Sequence, residues 1–73
     1  MLKIKTFARR LGMNIRAVRT NRDKPLSQKK LGLMVGLTQG HIGHIELGRK
    51  IPSTYVLYKI ATKLNVSIDS LVN

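Results

Sequence analysis

The sequence predicts an all-α domain of five short helices. Three observations carry that prediction. Apolar residues recur at spacings of four, four and three in Phe7, Leu11, Ile15 and Val18, which places them on one helical face. Ser27, Thr38 and Ser67 are side chains suited to capping a helix, each with an apolar residue just before it and another four positions on. No long segment alternates apolar and polar residues as a half-buried strand does.

Residues 1–6, MLKIKT, alternate apolar and basic residues and read as an N-terminal arm whose Lys3 and Lys5 can follow a phosphate backbone, as a short strand or a frayed helix start, and equally as a disordered tail. The domain proper is expected over residues 7–73. Its first helix runs from Phe7 to about Asn21, with Arg9, Arg10, Arg16 and Arg19 around or beside the apolar stripe. A polar turn over residues 21–25 follows, because Pro25 keeps Lys24 out of the helical region. Ser27 then caps a second helix with Leu31 and Val35 inward and Gly32 as a close-packing point against another helix.

Gly36 falls where that helix must stop, a position that favours left-handed backbone. Thr38 caps the third helix. At about 100° per residue, Ile42, Ile45 and the preceding Leu37 share its core side. Gln39, Gly40, Gly43, His44 and Leu47 fall on the outer side or its border. Gly48, Arg49 and Lys50 close this helix. A fourth begins near Ser53 and turns Val56, Leu57, Ile60, Ala61 and Leu64 inward, leaving Tyr55 and Tyr58 for the surface or an interface. Asp69 sits in the first turn of the fifth helix, where the helix dipole favours a negative charge. Helices two and three, joined through Gly36, make a helix-turn-helix.

Seventy-three residues without cysteine allow one small domain that relies on helix packing or on a partner subunit. Lack of cysteine fits a cytoplasmic protein. The chain has neither a long apolar run for a membrane span nor the apolar core of a signal peptide. Fourteen Lys and Arg face only Asp23, Glu46 and Asp69, for a net charge of +11. Such a balance points to a polyanion, with nucleic acid ahead of an anionic membrane surface. The basic residues are spread over short segments rather than lining one long amphipathic helix, which argues against the membrane. Three aromatic residues are too few for a single-strand stacking platform.

Within this charge, the third helix carries an outer face that costs the chain stability. A glycine inside a helix is roughly 1 kcal/mol worse than alanine, and Gly40 and Gly43 both lie there. Their missing side chains are either a tolerated defect or a way for the backbone to approach a surface such as a DNA groove, and the charge of the chain favours the second reading. Gln28, at the first position of the second helix, lies beside free N–H groups that attract a phosphate, with Lys29 and Lys30 adding charge. Glu46 would be repelled by phosphate, so it should turn inward and pair with Arg19 or Arg16. His41, His44 and Glu46 do not converge as metal ligands, because His44 faces out and Glu46 in. No set of residues for catalysis is present, and neither a cofactor nor a small-molecule ligand is expected.

The chain resembles the Cro and phage-repressor (lambda repressor-like) helix-turn-helix DNA-binding domains. Ile15-Arg16, Val18-Arg19, the LSQ run ending at Gln28, and Gly36-Leu37-Thr38-Gln39 carry the resemblance. Ile42, Ile45-Glu46-Leu47-Gly48-Arg49, Pro52-Ser53, Lys59-Ile60-Ala61 and the closing LNVSIDSLV continue it. It implies that Gln28 fastens the second helix to a phosphate and that Gln39 reads a base, adenine by a bidentate contact. Gly40 and His44 fall where related domains place base-contacting side chains, and Gly43 thins that face further. Arg49, with Lys50 beside it, would hold phosphate, and Arg19 with Glu46 would tie the first helix to the third. The turn after the first helix is two residues longer than the resemblance leads one to expect.

The function expected is a sequence-specific regulator of transcription, binding double-stranded DNA as a homodimer on a roughly palindromic operator. Tyr55, Tyr58, Ile68 and Val72 of helices four and five supply apolar area for the dimer. The competing expectation is an antitoxin or adaptor of the same fold with secondary DNA binding, which co-purification with a partner would reveal.

Overall fold

The computed structural model describes residues 4–73, which form five α-helices: α1 (Ile4–Thr20), α2 (Gln28–Val35), α3 (Gln39–Glu46), α4 (Thr54–Leu64) and α5 (Ile68–Val72). There is no strand among the described residues. The first helix starts three residues earlier than the expected Phe7, so Ile4, Lys5 and Thr6 are helical rather than part of an arm. Lys3 and the rest of that arm lie outside the described residues.

Local chemistry sets the element boundaries. Ser27, Thr38, Ser53 and Ser67 each accept a backbone N–H from three residues on, at 3.0, 3.1, 3.2 and 3.1 Å. Each bond satisfies one donor that the first helical turn leaves orphaned. At the other ends, Gly36, Gly48 and Asn65 take φ of 78°, 76° and 58°. The residue after each then donates back across the last turn: Leu37 to Gly32, Arg49 to His44 and Val66 to Ala61. This closes three helices with the same left-handed ending.

The inward stripes meet in one core of Leu11, Ile15, Leu31, Val35, Ile42, Ile45, Ile60, Ala61, Leu64 and Leu71. Phe7, Val18, Leu37, Ile68 and Val72 are half-buried against it. Gly12 brings α1 onto α3, since a Cβ there would collide with the carbonyl oxygens of Ile45 and Glu46. Gly32 serves a different contact from the one expected. The space beside it is filled by the carbonyls of Leu37 and Thr38, in the turn into α3, and not by another helix.

The long turn between α1 and α2 is pinned at its base. Leu26 N–H donates to the Arg19 carbonyl at 3.1 Å, and Arg19 Nη1 returns a bond to the Leu26 carbonyl at 2.8 Å. These two bonds tie the end of α1 to the residue just before Ser27. At the far end, Asn14 Nδ2 donates to the Leu71 carbonyl at 2.8 Å and holds α5 against α1. No described helix is long and apolar enough to cross a membrane.

Candidate nucleic-acid interface

The interface is built by α2 and α3 and by the turn that follows α3. Gln39 and Gly40 open α3 and are exposed, as is His44 one turn on. Gly40 has nothing within 4 Å of where a Cβ would stand, so no contact inside the protein accounts for a glycine there. Gly43, expected on the outer side or its border, lies at the border. It is half-buried, and a Cβ would stand 3.6 Å from Gln28 Oε1, so it faces the side chain of α2.

Gln28, Lys29 and Lys30 form the first turn of α2, and that turn contains no acid. Two ammonium groups near the positive end of a helix dipole oppose the helix, by about 0.3–1 kcal/mol each at the surface. The same arrangement favours an arriving anion. Lys29 and Lys30 are exposed, whereas Gln28 is half-buried. No acid stands in the first turn of α3 or α4 either. Arg49 and Lys50 are exposed just beyond the left-handed Gly48, with the Arg49 backbone fixed by its 2.9 Å bond to His44.

Behind this surface, Arg19 and Glu46 form a buried fork. Arg19 Nε donates to Glu46 Oε2 at 2.6 Å, and Nη2 donates to Oε1 at 2.9 Å. The inward turn of Glu46 and its choice of Arg19 over Arg16 answer the charge problem that the sequence posed. A third donor was not foreseen: Gln28 Nε2 reaches Glu46 Oε1 at 2.9 Å. The only cue in the sequence is that a buried carboxylate has more acceptor sites than one guanidinium fills. The pair therefore joins α1, α2 and α3, and not α1 and α3 alone.

His41 is half-buried and His44, three residues on in α3, is exposed. Among the described residues, no three His, Asp or Glu side chains gather where a metal ion could be held. On α4, Tyr55 is 68 % exposed with the Lys59 ammonium 5.2 Å from its ring centre, and Tyr58 is 58 % exposed. Ile68 and Val72, expected beside them, give much of their area to the protein's own core.

Residues 15–71 match the family model for the helix-turn-helix, HTH_3. An HTH-type transcriptional regulator of Sinorhizobium fredii, y4dJ, is 35 % identical over 54 residues, covering 74 % of this chain and 70 % of the relative. Among solved structures, the restriction-modification controller protein C.AhdI of Aeromonas hydrophila superposes with a TM-score of 0.84. It is 27 % identical, over 96 % of this chain and 99 % of that one. The P22 c2 repressor, solved in complex with a synthetic operator, superposes with a TM-score of 0.78 at 30 % identity, over 86 % and 92 % of the two chains. The chain is thus no enzyme: it belongs to the HTH_3 family of Cro and phage-repressor type helix-turn-helix domains.

Proposed function

We propose that this protein is a sequence-specific regulator of transcription that binds double-stranded DNA as a homodimer. In this reading α3 enters the major groove, where Gln39 and His44 meet base edges and Gly40 lets the helix backbone come close. Gln28, Lys29, Lys30, Arg49 and Lys50 hold the flanking phosphates. The observation that carries the reading is Gly40: an exposed helical glycine with open space around it, in a helix whose one acid, Glu46, is buried, between segments that expose Lys29, Lys30, Arg49 and Lys50. Similarity to a repressor solved on its operator and to a restriction-modification controller supports it.

One small domain makes few contacts, so two copies on inverted half-sites supply the specificity, with centres about one helical turn, ~34 Å, apart. Tyr55 and Tyr58 are the exposed apolar area for that pairing, with Ile68 and Val72 at its edge. The place of action follows from the ligand: the cytoplasm.

The test is selection of bound duplexes from a random DNA pool at about 150 mM salt, since affinities without a stated salt have no meaning. Two enriched inverted half-sites one turn apart are expected. Binding without enrichment would leave a non-specific DNA binder, and no binding would leave a protein partner as the target.

A further inference from the structure

The Gln28 side chain lies across α3. Its amide runs along Gly43, whose Cβ, if present, would stand 3.6 Å from Oε1, 3.8 Å from Nε2 and 3.9 Å from Cδ. Nε2 donates to Glu46 Oε1 at 2.9 Å. A carboxylate paired with a guanidinium accepts hydrogen bonds and offers none, so Glu46 dictates which end of the amide faces it. Glu46 itself is held at both oxygens by Arg19 and is buried, with its side chain 2 % exposed. One Nε2 proton is therefore committed. The other makes no hydrogen bond among the described residues, and in the first turn of α2 itself Ser27 caps only the Lys30 N–H, while the backbone donors of Gln28 and Lys29 lack an intrahelical partner.

We propose that Glu46 is a positioning residue for DNA: clamped by Arg19, it sets the Gln28 amide so that the second Nε2 proton is presented to a phosphate oxygen. The inference rests on the DNA-binding reading above. It assigns Gly43 to the passage of this amide across α3, and it gives an acid at a polyanion surface a favourable effect. Charge alone predicts the opposite, because a carboxylate repels phosphate.

That difference in sign makes the proposal testable. The probe is a labelled random-sequence duplex, since a phosphate contact acts on every sequence. Binding is compared for the native chain, Glu46→Gln, Gln28→Ala and the double variant, each checked for folding by circular dichroism. Positioning predicts that Glu46→Gln weakens binding roughly three- to tenfold, the range of one net hydrogen bond, although it removes a negative charge. In the Gln28→Ala background the same change should no longer weaken binding. Glu46→Gln that binds as tightly as the native chain, or more tightly, overturns the positioning role and leaves the DNA-binding reading standing. A folded native chain that binds no duplex overturns both.

Because neutralising a buried partner of Arg19 can unfold the domain, a second measurement stays on the native chain. The two Nε2 protons of Gln28 give separate amide signals in nitrogen-15 NMR. Adding duplex should move the signal of the outer proton and leave that of the Glu46-bonded proton in place. Duplex binding that moves neither signal, or both alike, overturns the proposal.

Discussion

Arg19 and Glu46, 27 residues apart, meet as a two-pronged ion pair that also receives Gln28, so three helices converge on one carboxylate. Their side chains are 10 % and 2 % exposed. A pair this deep gives little net stability compared with apolar residues of the same size, but removing one partner strands a buried charge.

Glu46→Ala should therefore destabilise the domain by about 3–5 kcal/mol. Arg19→Met with Glu46→Leu should lose much less than Glu46→Ala alone. Urea unfolding of the single and double variants checks this, and equal losses in both would show that the pair contributes through attraction rather than by avoiding a stranded charge.

Gly40→Ala should raise stability and lower DNA affinity at once. The added methyl meets no protein atom within 4 Å and gains up to about 1 kcal/mol of helix propensity. For a domain this small, such a gain shifts the melting temperature by about 4–8 °C. Thermal unfolding and duplex titration on the same sample read both effects; tighter DNA binding by the more stable variant would exclude close backbone approach at residue 40.

Gln39→Ala and Arg49→Ala should fail in different ways. The first should cost about 1–3 kcal/mol on the preferred site and relax one base position. The second should weaken all duplexes alike and reduce the salt slope by about 0.9, the signature of one lost phosphate neutralisation. Titrations against selected and scrambled duplexes at several salt concentrations separate the two, and parallel losses on scrambled DNA would remove the reading role of Gln39.

Replacing Tyr55 and Tyr58 together by Ser should convert the proposed dimer to monomers that still fold, since both side chains are largely exposed on the single chain, and should remove the concentration dependence of melting that pairing brings. Sedimentation equilibrium gives the mass. An unchanged dimer would move the interface off α4.

What could be read from the residues was what local chemistry decides. Ser27, Thr38 and Ser67 cap where their hydroxyls and staple neighbours placed them, and Gly36 ends α2 in the left-handed region. The burial of Glu46 was legible too, since an acid in a cationic surface has few other places to go. The start of α1 was legible only as one of several alternatives, because Ile4, Lys5 and Thr6 make less than one helical turn, too short to show a period. Contacts between distant segments were the other gap. Asn14 grips the Leu71 carbonyl across 57 residues by a neutral amide that no complementary charge announces. The helical wheel put Gly43 on the outer side or its border but has no knowledge of the Gln28 side chain arriving from α2.

The eight-residue length of α3 has a thermal consequence. Isolated helices shorter than about 12–15 residues are marginal in water, so α3 exists only while Ile42 and Ile45 are seated in the core. Any opening that unseats Ile42 and Ile45 therefore takes α3 with it. The fraction of chains able to hold duplex through α3 cannot exceed the fraction in which that seating persists, and warming through the unfolding transition should release DNA. Bound duplex pushes that transition upward by mass action, which makes the release temperature a function of how much DNA is present.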